Sequence, residues 1–414
     1  MARVELPAIP SAGRELEDYV AGLFQAAGYF VERGIHERAS TEVLELDAVA
    51  TSYDSAVPTS VLVEAKGGRW GFPDCFKVVG WMEYLDIERG AFFVRESSQG
   101  LAHEVHRKMT PLGLSLVDLS GFQDSAQRFK DAGLGTIRDP SLTGLWRYSF
   151  WIERKLLEHL RARKRALPNA KVTAEALAYH DLIHDHIFFI KDESERLRRL
   201  YRAYREHPKL SRALASEIAV GQGIPGSILA DALVSGAHAP LQASLYIEHR
   251  ARLSILKATV DLLCRGGADL RRLAGLPRTL GSGLRVLERR ATFHRYALLW
   301  QVFLWGFGGF FLADRADEEL AWLAEQTGIP CGEIRLGLAA FDDLFPLAES
   351  SWITPLRNTQ IMVAKMVPAP FRGIGALQRL RRYGARAYED LGYDPHTTTD
   401  LNRWHRSAVE LLGG

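Results

Sequence analysis

Residues 44–68 read LELDAVATSYDSAVPTSVLVEAKGG. Two apolar, β-rich runs, Glu42–Ala50 and Ser60–Ala65, flank the turn-like TSYDSAVPT and carry acidic groups within them. Short runs of this kind bounded by Ser, Asp and Pro are strand signals. Strict alternation puts Leu44, Leu46, Ala48 and Ala50 on one face, with Glu45, Asp47 and Val49 on the other. In the second run Val61, Val63 and Ala65 share a face, while Glu64 and Lys66 share the opposite one. Paired as a hairpin, the runs bring Asp47, Glu64 and Lys66 together at one end of a sheet whose other face is core. Charges gathered in this way are costly unless they pair with one another or hold a metal.

Outward from the hairpin, helix and strand signals alternate. GRELEDYVAGLFQAAGY (13–29) sets Leu16, Tyr19, Val20, Leu23, Phe24 and Ala27 at helical spacing, with Gly28 as a stop. YFVERGI (29–35) predicts a strand, 74–85 a helix, 90–96 a strand, 101–109 a helix and 114–119 a last strand. The order αβββαβαβ predicts a central sheet with helices on its faces, over residues 8–120. Residues 121–144, rich in Gly, Asp and Ser, read as a linker or a wrapping segment. Beyond Leu145 the strand signals stop. A succession of amphipathic stretches there predicts a large all-α domain over 145–414, divisible near 265–283. Within it, 222–247 and 327–353 share Gly-Ile-Pro and a later Pro-Leu, either a faint repeat or a coincidence of common residues.

The totals narrow the class. Of 414 residues, 47% are hydrophobic and 25% charged, with a mean hydropathy near zero, as in soluble domains. MARVELPAIP lacks the charged-then-apolar order of a signal peptide. Cys75, Cys264 and Cys331 are too scattered for a disulfide framework or a Cys-based zinc site, and a cytoplasmic location is expected. Tyr296–Ala313 is nearly uncharged, but Gln301, Gly306, Gly308 and Gly309 interrupt it. It reads as a buried helix ending in a glycine-rich bend, so no membrane partner is expected. Residues 1–120 carry 11 Lys and Arg against 18 Asp and Glu, and the remainder 41 against 32. An acidic front can collect a cation and a basic rear can meet a polyanion, although plain solvated surfaces give the same balance.

Two carboxylates on rigid strands suit Mg²⁺, which prefers hard oxygens and keeps positions for water and phosphate. A lysine beside them can orient or deprotonate water and offset charge on phosphate. A simple cross-strand ion pair uses the same residue types. An Asp on one strand and Glu-x-Lys at the end of the next resembles the PD-(D/E)xK nuclease superfamily. The likeness is closer to its restriction-endonuclease-like and Holliday-junction-resolvase-like branches. GRELEDYVAGLFQAAGYFVER is similar to that family's opening helix, ELDAVA to its Asp strand and SVLVEAKGG to its Glu-x-Lys strand. The helix at 74–85 also falls where the family has one. Leu46 stands where the family name has Pro.

The resemblance, over residues 8–120, implies an α+β fold with a restriction-endonuclease-like core around a central mixed sheet. It implies Asp47 and Glu64 as metal ligands with the Ala65 backbone carbonyl, Lys66 as the catalytic lysine, and Glu17, with Glu15 as its neighbour, as an auxiliary. Mg²⁺ is the implied cofactor, with Mn²⁺ an alternative, and the implied activity is hydrolysis of phosphodiester bonds in DNA. A nuclease without a motor or methylase motif fits prokaryotic defence against foreign nucleic acid. The alternative is a catalytically silent nuclease-like protein that binds DNA or a partner, with the helical domain as scaffold or homo-oligomerisation element. A third reading makes the helical array itself the functional part.

Other motifs are less specific. His180 and His184 have a spacing that can bind zinc but lack the Glu of HExxH, and packing histidines share it. LAEQTGIPCGEIRLGL (323–338) has helix-turn-helix spacing with a single basic residue, Arg335, and equally fits a structural helical hairpin. The Arg-rich stretches 153–165, 195–205 and 377–388 suit either phosphate contacts or solvated helix faces. No Walker-type phosphate loop is present.

Overall fold

The computed structural model describes residues 13–38, 42–95, 99–144, 170–206, 239–266, 278–307, 310–312, 316–344 and 361–363, with single positions at 10, 146–147, 149–150, 153–154 and 157. These fall into two compact units, one within Glu5–Trp151 with His184–Lys191, the other within Ile152–Ile183 and Asp192–Gly414.

The first unit is an α+β domain. It runs α1 (Arg14–Ala26), β1 (Phe30–Arg38), β2 (Glu42–Ser52), β3 (Thr59–Lys66), α2 (Phe72–Leu85), β4 (Arg89–Val94), α3 (Gln99–Met109), β5 (Leu114–Asp118) and α4 (Ser125–Asp131). The expected order αβββαβαβ is present. The five strands form one mixed sheet in sequence order. The pairs β1–β2 and β2–β3 are antiparallel, and β3–β4 and β4–β5 are parallel. The short loop after β2 permits the hairpin, whereas each parallel step needs a helical crossover, which α2 and α3 supply.

Both faces of this sheet are core, as helices on its faces predict, and this corrects the expectation that the face carrying Glu64 and Lys66 lies outside the core. Consecutive residues of β4 show it. Phe92 meets Trp70 at 5.6 Å in a core with Val49, Leu62, Cys75, Val78, Met82, Val105 and Met109. Phe93 points the other way, to Phe24 of α1 at 5.8 Å and Phe129 of α4 at 6.4 Å. Helices α2 and α3 thus cover one face, and α1 and α4 the other. Each fully buried Phe contributes about 1.5–3 kcal/mol of transfer free energy.

Strict alternation also fails, at the residue that matters most. Leu44 and Leu46 share a core with Val49 and Leu62, whereas period two places Leu46 and Val49 on opposite faces. The switch lies at Asp47. Gly34, at φ 60, sits level with it, between the pairs Arg33–Ala48 and Ile35–Leu46. Glycine carries this left-handed backbone without the strain a Cβ would add.

Residues 121–144 wrap the sheet and do not form a linker. Phe129 packs on Phe24 at 4.9 Å, Leu134 and Leu142 are buried, and the Leu134 carbonyl accepts from the Tyr29 hydroxyl at 2.8 Å.

In the second unit the described elements are chiefly helical: Ala170–Asp181, Glu193–Glu206, Ala239–Cys264, Arg278–Glu288, Tyr296–Phe307, Ala316–Thr327 and Cys331–Leu344. Phe310–Leu312 pairs antiparallel with Ile361–Val363, a strand pair the sequence reading did not expect. Three-residue strands are too short to show periodicity. Tyr296–Phe307 is a buried helix; Trp300 Nε1–H donates to the Gly337 carbonyl at 2.9 Å. Among the described residues no helix is long and apolar enough to cross a membrane. The stretches 208–221, 226–234, 374–391 and 400–412, and most of 222–247, lie outside the described residues.

Candidate active site

The β2–β3 ladder ends at Ala48–Val63. One step further, the Ala65 backbone N–H donates to Asp47 Oδ2 at 2.7 Å. A side chain therefore takes over where the backbone pairing stops. An extended residue directs its N–H and C=O to the same edge, so the Ala65 carbonyl faces the Asp47 side as well. Two residues along β3, Lys66 Nζ lies 3.2 Å from Glu64 Oε1, as expected for side chains on one face of a strand. Glu64 is only 4% exposed, and Lys66 is partly so.

Electrostatics bind these groups into one cluster. Burial raises the Asp47 pKa well above the usual carboxylate range. The charges of Glu64 and Glu17 push it further, against the Ala65 N–H and Lys66, which pull it down. Burial also raises Glu64, with Lys66 and Lys77 opposing. Glu17 is pushed up to about 6 by burial and by the carboxylates of Asp18 and Glu45, with a smaller push from Glu64 and relief from Arg14. At Lys66, burial works to lower the pKa. The charge of Glu64, its hydrogen bond, and Asp74 and Asp47 outweigh it and hold the ammonium above its ordinary value.

Glu17 arrives from the other side of the sheet, on α1, and feels the site through space. Among the described residues no group of three or more His, Cys, Asp or Glu side chains stands where it could hold a metal ion. Glu17 thus does not close a three-carboxylate shell with Asp47 and Glu64. Glu15 takes a different part, with Oε2 3.8 Å from Arg147.

Two residues absent from the sequence reading enter here, Asp74 and Lys77. Both sit in the first turns of α2, which follows β3 by a short glycine-containing loop. Asp74 caps the helix by accepting from the Gly71 N–H at 3.0 Å. The spacing Gly71-x-x-Asp74 is a readable cap signature, but its nearness to Glu64 depends on the fold.

The remaining motifs take the following places among the described residues. His180 is buried with Nδ1 3.5 Å from Asp181. The 323–338 segment forms a helical hairpin around Gly328, at φ 67, and its second helix buries Ile334, Leu338 and Phe341. In 195–205, Arg198 and Arg199 pair with Glu195 at 3.5 and 2.7 Å, while Leu197, Leu200 and Tyr201 are buried.

No family model, curated protein or solved structure matches the chain. The site is read from its own chemistry. Asp47, Glu64 and the Ala65 carbonyl together offer only hard oxygen donors, the set Mg²⁺ prefers. Burial opposes the ionisation of both carboxylates, and the charge of Glu64 opposes that of Asp47 further, so a divalent cation would relieve both. The residues fit such an ion.

Proposed function

We propose that the sheet unit is a Mg²⁺-dependent nuclease that hydrolyses phosphodiester bonds, with DNA as its substrate class. The observation that supports this best is the meeting of half-buried Asp47 and buried Glu64 with a cationic Lys66 at the end of β3. Asp47, Glu64 and the Ala65 carbonyl would hold the ion, with Mn²⁺ as a substitute. When bound, Mg²⁺ supplies Lewis-acid polarisation of a phosphate oxygen.

The protein's own groups do the rest. The Ala65 N–H holds Asp47 in one rotamer, so its free oxygen is preorganised. Lys66 remains an ammonium at neutral pH because Glu64 lies against it. Its role is to place positive charge and a proton donor beside a phosphate or an attacking water, not to act as a base. A DNA substrate and the resemblance stated above support a role in prokaryotic defence against foreign nucleic acid, in a cytoplasmic setting.

The test is cleavage of plasmid and single-stranded DNA with Mg²⁺, Mn²⁺ or EDTA, alongside Lys66→Ala. Cleavage that needs metal and falls by about 10²-fold or more in the variant supports the reading. Lys66→Ala cutting as fast as the wild type would remove Lys66 from the mechanism. A second reading is a silent nuclease-like fold that binds DNA or a partner, since among the described residues no trio of side chains stands where it could hold a metal ion. Metal-independent retention of DNA in a gel, without cutting under any metal, would establish that one.

A further inference from the structure

One surface beside this site has a composition the core does not explain. Phe76, on α2, is 56% exposed although it is a large apolar residue. Phe72 lies 6.4 Å away with its ring tilted by 34°, and is itself anchored against the core. Cations accompany the rings: Lys108 Nζ stands 5.0 Å over Phe72 and Lys77 Nζ 4.1 Å over Trp81. Lys77 also acts electrostatically on Glu64, and α2 follows the strand that carries Glu64 by a short loop.

A second feature of the same face is Gly80, exposed in the middle of α2. A Cβ built there meets nothing within 4 Å. Glycine at such a position costs about 1 kcal/mol against alanine, and no packing among the described residues requires it. Along α2, Phe76, Gly80 and Tyr84 follow one another at i, i+4 and i+8, a ridge with a notch at its centre. A notch between two exposed rings admits a flat group or a backbone close to the helix.

We propose that Phe72 and Phe76, with Lys77 and Lys108, form a stacking platform that leads a single-stranded segment of nucleic acid to Asp47 and Glu64. This deepens the nuclease reading and rests on it. Bases offer π-faces to the rings and phosphates offer charge to the two lysines. A protein partner would use the rings alone, whereas two lysines held beside them, over Phe72 and Trp81, also offer charge to phosphates. A duplex keeps its bases stacked within itself, so the platform favours strands that are open.

The test measures binding in EDTA, where cleavage plays no part. Fluorescent single-stranded DNA, single-stranded RNA and duplex DNA of equal length are titrated against wild type, Phe76→Ala and Lys77→Ala. The expected result is weaker single-strand binding by Phe76→Ala, about 10- to 100-fold, with duplex binding unchanged. In Lys77→Ala the slope of log K against log salt drops by about 0.7. Phe76 is exposed, so its melting temperature serves as a folding control. Equal single-strand affinity in Phe76→Ala and wild type overturns the platform even if the wild type proves to be a nuclease. A wild type that binds the single strand through Phe76 but never cuts it keeps the platform and removes the catalytic reading. Loss of self-association in Phe76→Ala, seen by light scattering without loss of DNA affinity, assigns the patch to contact between copies and also overturns the proposal.

Discussion

Asp47 Oδ2 accepts the Ala65 N–H at 2.7 Å at the point where β2 and β3 cease to pair. That bond joins the architecture to the chemistry, because it fixes a carboxylate beside Glu64 and Lys66 by means of the backbone. It also offsets part of the cost that burial and the charges of Glu64 and Glu17 impose on that carboxylate.

Asp47→Asn keeps an oxygen for the Ala65 N–H and removes one of the repelling charges. The variant's melting temperature in EDTA is expected to rise by roughly 2–4 °C, corresponding to about 1 kcal/mol. The upward shift that Mg²⁺ produces in the wild type is expected to vanish in the variant. A variant that melts lower in EDTA and still responds to Mg²⁺ would show that Asp47 is not a ligand.

Protonation favours the fold at the carboxylate cluster. Glu17, Asp47 and Glu64 have raised pKa values in the folded protein, so the folded state binds protons more readily than the unfolded one. The stability they contribute is present at low pH and is lost as pH rises through the folded pKa, which is about 6 for Glu17. Wild type minus Glu17→Gln, followed by urea unfolding in EDTA, should therefore lose stability between pH 4.5 and pH 7. A difference that is flat or rises with pH contradicts the assigned environment of Glu17.

Backbone strain at two glycines separates two causes. Gly34 has φ 60 and open space around a built Cβ, so Gly34→Ala costs only the left-handed conformation, about 1–2 kcal/mol. Gly113 has φ 77, and a Cβ there would run into the Glu88 carbonyl. Gly113→Ala is expected to cost more, roughly 2–5 kcal/mol, because strain and overlap add. Denaturant midpoints give the order, and a Gly34→Ala loss at or above that of Gly113→Ala would refute it.

In the helical unit, Gly337 lets the Cys331–Leu344 helix approach the Tyr296–Phe307 helix closely. A Cβ at 337 would stand 2.7 Å from Tyr296 and 2.8 Å from Leu299, both fully buried. Gly337→Ala gains about 1 kcal/mol of helix propensity and loses about 1–3 kcal/mol to overlap. Since neither neighbour has room to move, net destabilisation is expected. Trp300→Phe removes the indole donor from the Gly337 carbonyl, which keeps its place in the helical ladder, and should cost about 0.5–1.5 kcal/mol. Thermal melts of both variants check this, and an unchanged midpoint in Gly337→Ala would disprove the close packing.

Much of the sheet unit was legible along the chain. The order of its eight elements from α1 to β5, the β2–β3 hairpin and the shared face of Glu64 and Lys66 follow from local periodicity and turn residues. The same rules misplaced Leu44 and Leu46, because alternation assumes an unbroken strand. They also left open whether 121–144 was a linker, since Phe129 shows its place only against Phe24 and Phe93. Asp74 and Lys77 carried no signal toward the site, since helix caps and surface lysines have the same local signature everywhere.

The sequence by itself determined which residue types lie on which strand and helix, because side-chain period and turn chemistry act over a few residues. Only the tertiary structure decided that Gly34 and Asp47 stand level, that Asp47 turns to the Ala65 N–H, and that α2 brings Asp74 and Lys77 to Glu64. Those outcomes depend on hydrogen bonds and charges between segments distant in the chain, whose strength is set by burial and separation, and neither quantity exists until the strands have paired.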